Sequence, residues 1–346
     1  MTPRLFYIDS LNQMRDQIDS TSFSIGFVTD SHFDEGTWRE NASRSLRNLN
    51  NVLYLQGSLD CVVAGGDNVD SEHRDKSINL RNNQRFVDRL FNSLAIDKFI
   101  TRGNHDQGSL PFWSANGKVM PAEVINRNEF KASYRTGQKL FGEVRDGDSL
   151  YCYKDYPSKK VRVVVVDSID NPESTNSDGS LKYFDQWDYG YQQTQLKWIA
   201  EKALGTCPAD YHVVMLSHVP LNKTANSGRE QRRNFDCLST IINAFVNRTS
   251  ATVKSTLTDF QVDFSVNYST RTASNFAGFF GGHEHRENID NMGKFNGITC
   301  DNAWPENNEI IGTVQEDSFS IIEIDTTKRQ CKTLGFGRST NRQFNY

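Results

Sequence analysis

Phe99-Ile100-Thr101-Arg102-Gly103-Asn104-His105-Asp106 joins a short apolar run to a run of polar and ionisable residues. The apolar part predicts a strand over 98–101, which leaves Asn104 and His105 just past its carboxyl end. The two neighbours suit different work. An asparagine carbonyl binds a hard or borderline cation through oxygen, and an imidazole moves a proton or faces negative charge. Asp106 is expected to hold that imidazole in one tautomer, as carboxylates do toward catalytic histidines. A Gly-Asn turn with a surface histidine accounts for the same letters, so the rest of the chain has to decide.

Moving upstream, 23–29 alternates apolar and small residues and reads as a strand that delivers Asp30-Ser31-His32. Side chains two apart on an extended segment share a face, so Asp30 and His32 are expected to point the same way. The apolar run 61–64 ends in Gly65-Gly66-Asp67-Asn68, where the glycines permit close backbone approach. Helical patterns fall between these strands at 37–56 and 76–94, after an amphipathic lead-in over 1–20. Strand-helix units that each leave polar residues at a strand's carboxyl end are how open α/β sheets build a site.

Downstream, 161–167 is apolar enough to be a buried central strand, and 191–204 is helical. The strand 211–216 ends in Ser217-His218, and 276–280 ends in Gly281-Gly282-His283-Glu284-His285. Further strands are clearest at 319–324 and 331–336. Five of the seven histidines, His32, His105, His218, His283 and His285, thus follow apolar strand-like runs, in company with Asp30, Asp67 and Asn104. His73, in a charged run, reads as a loop residue, and His212 as structural.

Composition narrows the alternatives. The longest apolar runs are strand-sized, well short of the roughly 20 residues of a spanning helix, so no membrane span is expected. The first residues lack an apolar segment with a cleavage site; the expected location is cytoplasmic, with virion association or non-classical export left open. Net charge is -4, which gives no overall electrostatic case for nucleic acid except as a substrate. Six cysteines without CxxC spacing read as reduced, buried small hydrophobes.

Taken in order, D-x-H, G-D-x-x-D, G-N-H-D, a lone histidine after a strand, and G-H-x-H span Asp30 to His285. The ordered set resembles the calcineurin-like metallophosphoesterase superfamily. The resemblance implies an α/β fold, a four-layer α/β/β/α sandwich of two mixed sheets flanked by helices. It implies a single domain over 1–346, with core motifs in 30–285 and C-terminal strands in 294–346 completing the second sheet. Asp30, His32, Asp67 and His285 would bind one metal, and Asp67, Asn104, His218 and His283 the other, with Asp67 bridging. His105 would assist the leaving group and steady charge on the phosphoryl oxygens, with Asp106 behind it.

Two divalent or transition ions are implied, and oxygen and imidazole ligands suit Mn, Fe, Zn or Ni, with Mn favoured. The implied reaction is in-line attack of a bridging hydroxide on a phosphate ester, a diester sooner than a monoester. The alternatives are a nuclease or teichoic-acid-type depolymerase, and a non-catalytic binding module that keeps the fold. Purple acid phosphatases carry a tyrosine where this chain has Asp70 and a glycine where it has His32, so no tyrosinate-iron site is implied. The C-terminal segment is similar to phosphohydrolases of low-GC Gram-positive bacteria and their phages. Asn68 and Lys223 are the candidate substrate contacts, each with an ordinary turn or solvated-charge reading beside it. Trp304 and Phe33 are candidates for the pocket wall.

Overall fold

The computed structural model describes residues 2–36, 39–222 and 229–346. Three parallel strands, β1 (Phe23–Val28), β2 (Cys61–Gly65) and β3 (Asp97–Thr101), form half of the first sheet. They are joined through α2 (Ser45–Tyr54) and α3 (Lys76–Leu90), with α1 (Ile8–Gln17) ahead of them. The helix expected over 37–56 begins as an α-helix only at Ser45, after a 3-10 turn at Ala42–Arg44; 37–38 lie outside the described residues. Asp75 caps α3, accepting from the Ser77 amide at 2.9 Å.

The second sheet runs in the order Asn288–Asn291, Asn296–Thr299, Asn275–Gly281, His212–Leu216, Val161–Val165 and Cys152–Tyr156. Its central strands are parallel and buried along their length, as their apolar runs require. Arg162 interrupts one of them and is satisfied by Asp155, at 2.6 and 2.7 Å, and by the Ala203 carbonyl.

Three apolar layers account for the architecture. Phe27, Val63 and Phe99 from the first sheet meet Val163, Leu216 and Phe280 from the second in a core between them. The other face of the first sheet is covered by Leu49 and Val52 of α2 and Phe86 and Leu90 of α3. The second sheet is covered by the helical segments Gln193–Trp198, Ile199–Leu204 and Phe235–Asn247. This is the expected sandwich of two mixed sheets between helices.

The C-terminal strands do not complete the second sheet, and that expectation is corrected. Only Asn296–Thr299 joins it; Ser318–Asp325, Gln330–Gly337 and Arg342–Asn345 extend the first sheet beyond β1. The cause lies in both faces of Ser318–Asp325 being apolar. Phe319 and Ile321 face the helices while Ile322 and Ile324 face the inter-sheet core, as a strand beside β1 inside the sandwich requires. All six cysteines are buried and unpaired. Among the described residues no helix is long and apolar enough to cross a membrane.

Candidate metal centre

Each motif lies on the turn after a strand, and the turns are tight. Asp30, His32, Asp67, His283 and His285 all have left-handed backbone, with φ of 53, 45, 47, 69 and 48°. Non-glycine residues seldom sit there, at a cost of about 1–3 kcal/mol each, unless surrounding bonds over-determine them. Here they do. The Asp30 amide donates to the Gly66 carbonyl at 2.9 Å and that of His32 to the Asp67 carbonyl at 2.8 Å. The His105 amide donates to Asp67 Oδ1 at 2.8 Å, and the His283 amide to the Asp30 carboxylate at 2.9 Å. Asp30 and His32 therefore converge through left-handed turns instead of the strand pleat the sequence suggested.

Two glycines make that crowding possible. A Cβ on Gly103 would stand 2.1 Å from the Asp67 amide nitrogen, and one on Gly282 would stand 2.1 Å from Asp30 Oδ2.

The four imidazoles are held by their outer nitrogens. His32 Nδ1 lies 2.8 Å from Asp70, His285 Nδ1 3.1 Å from Glu306, His283 Nε2 3.3 Å from Glu230, and His218 Nδ1 3.0 Å from the Gly65 carbonyl. Each acceptor places the ring proton outward and leaves the inner nitrogen as a lone pair. The inner atoms then face one another. His32 Nε2 and His285 Nε2 are 3.0 Å apart, and the Asn104 carbonyl oxygen is 3.0 Å from His218 Nε2 and 2.9 Å from His283 Nδ1. Asp67 Oδ2 lies 3.7 Å from His32 Nε2 and 3.4 Å from His218 Nε2, between the two groups.

Acceptors aimed at acceptors require cations between them. Where no metal sits, protons are drawn in. Burial works against a charged His285, yet Asp30 and Glu306 push it up to about 10. Burial likewise opposes a charged His218, which Asp67 raises to about 9. Asp30 is buried, which would raise it, but His285 and His218 hold it down at about 2. Among the described residues four groupings could hold a cation: Asp30 with His32 and His285, Asp67 with His218 and His283, His32 with Asp67 and His105, and Asp70 with Glu72 and His105. The donor set, oxygen and imidazole without thiolate, fits a pair of transition ions.

A family model described as calcineurin-like phosphoesterase matches residues 23–287. The chain belongs to that family. Membership carries metal-dependent hydrolysis of a phosphoester as the broad activity. Among solved structures, a dimetal phosphatase from Danio rerio is similar at a TM-score of 0.56 and 16% identity, covering 94% of this chain and 99% of that one. GAP50, the anchor in the inner membrane complex of Plasmodium, is similar at a TM-score of 0.44 and 10% identity, covering 94% and 89%. The likeness to the dimetal phosphatase, at that identity, concerns the fold alone. No curated protein matches.

In this calcineurin-like phosphoesterase the carboxylate beside His105 is not the one expected. Asp106 is fully buried and accepts from the Gly103 amide at 2.7 Å, the Val69 amide at 2.9 Å and Asn68 at 3.1 Å. It clamps two turns together and does not touch the imidazole, because its side chain closes back three residues onto its own turn. Burial pushes it up to about 7, with Asp67 adding to the effect. Asp70 is the carboxylate that faces the ring instead, 3.4 Å from His105 Nδ1 without a hydrogen bond, while it accepts from His32 Nδ1 and from Arg39 Nε, each at 2.8 Å. His105 is raised; burial opposes its charge, and Asp67 and Asp70 outweigh that.

Asn68 is corrected too. Its amide nitrogen is spent on the Thr101 carbonyl at 2.8 Å and on Asp106, so that end of the side chain supports the turn. Lys223 lies outside the described residues. Downstream of it, Arg232 meets Glu230 and Glu284, and Arg233 meets Asp188 on a short strand pair. Trp304 does wall the centre, 6.0 Å from His32 and 6.4 Å from His285, whereas Phe33 is core. Glu230, Glu306 and Gln186, which lies 3.4 Å from His105 Nε2, had no signal in the sequence reading.

Proposed function

We propose that this phosphoesterase hydrolyses a phosphodiester at two cations. Asp30, His32, Asp67 and His285 hold one, and Asp67, Asn104, His218 and His283 hold the other, with Mn the favoured ion. The observation that carries the reading is the 3.0 Å approach of His32 Nε2 to His285 Nε2, two lone pairs turned toward one point. When bound, the ions supply Lewis-acid charge to the phosphoryl oxygens and activate a water for in-line attack.

The protein's own groups do the rest. Asp67 and Asp70 raise the pKa of His105 against the effect of burial, which favours the protonated ring that can stabilise the phosphoryl charge and hand a proton to the departing oxygen. Asp70 supplies negative charge 3.4 Å from Nδ1 of that ring, an ion-pair contact without a hydrogen bond. The diester preference rests on charge. Arg39 and Arg232, guanidiniums beside the centre, are committed to Asp70 and to Glu230 and Glu284. A singly charged diester therefore suits the site better than a doubly charged monoester.

The test is hydrolysis of bis-p-nitrophenyl phosphate against p-nitrophenyl phosphate with added Mn. The reading expects the diester to be cleaved faster, and His105→Ala to lose that activity while both ions are retained. Full activity in that variant would remove the role given to His105.

A further inference from the structure

A cleft between α2 and α3 lies outside the metal centre and takes no part in the chemistry above. It has a volume of about 510 Å³ and is bordered by the residues that follow β1. Among the described residues that line it, five are arginine (Arg4, Arg44, Arg47, Arg85 and Arg89), and Glu35 is the acidic one. In a chain of net charge -4 this is a local inversion of sign.

The arrangement works against the free protein. Arg44 and Arg47 stand three residues apart at the start of α2, and Arg85 and Arg89 four apart on α3. Those spacings put each pair on one side of its helix, where like charges repel. The first turn of α2 holds no acidic residue, so Arg44 and Arg47 also oppose the positive end of the helix dipole. Neutralising carboxylates are fewer than the cations. Arg4 and Arg44 share the buried Glu316, Arg85 pairs with Glu35, and Arg89 donates to the Asn50 amide oxygen at 3.0 Å. Arg47 is exposed and has no ion pair among the described residues.

We propose that this cleft is a binding site for a ligand carrying several phosphates in a chain without bases. Guanidinium forks match phosphate oxygens bidentately, and an incoming anion would relieve the repulsion across the cleft. The absence of bases follows from the lining. Its aromatic member among the described residues, Phe33, is 1% exposed and covered by Arg85 at 5.7 Å, so a nucleobase finds no ring to stack on. Single-stranded nucleic acid depends on such stacking for much of its affinity.

The experiment is calorimetric titration of the metal-loaded full chain with inorganic tripolyphosphate. Two classes of site are expected, because the metal centre also accepts phosphate. Arg47→Glu combined with Arg89→Glu should weaken one class by at least about tenfold and leave hydrolysis of bis-p-nitrophenyl phosphate unchanged. His283→Ala should abolish only the other class, so failure at the cleft and failure at the metal centre are told apart. Arg47→Lys with Arg89→Lys keeps the charge but not the bidentate fork and should lose less affinity than the glutamate variant, which separates loss of charge from loss of fold. Unchanged affinity in the glutamate variant, or tighter binding of a tetrathymidylate than of tripolyphosphate at the cleft, would overturn the proposal.

Discussion

Asp70→Asn is the substitution whose consequences the geometry specifies most closely. It preserves shape and removes a charge that two donors share, His32 Nδ1 and Arg39 Nε, each at 2.8 Å, and that His105 Nδ1 faces at 3.4 Å. An asparagine offers one acceptor and one donor. If its oxygen stays on Arg39, its amide faces His32 Nδ1, and that ring must move its proton to Nε2, the atom turned into the centre. Loss of a carboxylate behind a metal-binding histidine typically weakens metal affinity about 10–100-fold, roughly 1.4–2.8 kcal/mol. A second effect reaches His105. Its proton is held partly by Asp70, so its pKa falls in the variant and the alkaline limb of activity moves to lower pH. The assay is calorimetric titration with Mn beside a pH–rate profile at saturating Mn. Wild-type Mn affinity together with an unshifted alkaline limb would refute the assignment of Asp70 to both rings.

Three further outcomes follow from particular contacts. Gly282→Ala drives a Cβ to within 2.1 Å of Asp30 Oδ2 and should remove one of two bound ions while circular dichroism stays native; two ions by elemental analysis would contradict it. Arg102→Met strands the buried carboxylates Asp167 and Asp185, at 3.1 and 3.2 Å, and should cost about 3–5 kcal/mol in urea unfolding, with a loss under about 1 kcal/mol counting against it. Asp317, pushed by burial from 3.8 up to about 7, binds its proton more tightly in the folded state than in the unfolded one. Its contribution to stability is therefore present below the unfolded pKa and lost as pH rises toward 7. Asp317→Asn should remove that decline, gaining on the wild type between pH 4.5 and 7.5, and parallel melting curves at both pH values would contradict this.

Much of the centre was legible because each set of inward-facing residues punctuates an apolar run: Asp30 after β1, Asp67 after β2, Asn104 after β3. The supporting carboxylates were not. Asp70 lies 38 residues from the ring it holds, Glu230 lies 53 from His283, and Glu306 lies 21 from His285. No periodicity connects such pairs, and only the topology of two facing sheets brings them together. Adjacency misled in the opposite direction, since Asp106 follows His105 but closes onto Gly103. The hairpin of Ser250–Ser255 and Val262–Asn267 went unread, although Val262, Phe264 and Val266 alternate with polar residues as a half-buried strand does. The C-terminal strands were visible as strands, but the sheet they join is set by the long-range pairing of Ser318–Asp325 with β1, which no local pattern carries.

The central claim is that separate strand ends converge on a pair of cations shared by Asp67. Anomalous diffraction at the Mn edge from crystals of the Mn-loaded protein addresses it without any choice of substrate. Two peaks about 3.5–4 Å apart on either side of the Asp67 carboxylate are predicted. A single peak, or density near Asp70 and Glu72 with none at Asn104, would contradict it.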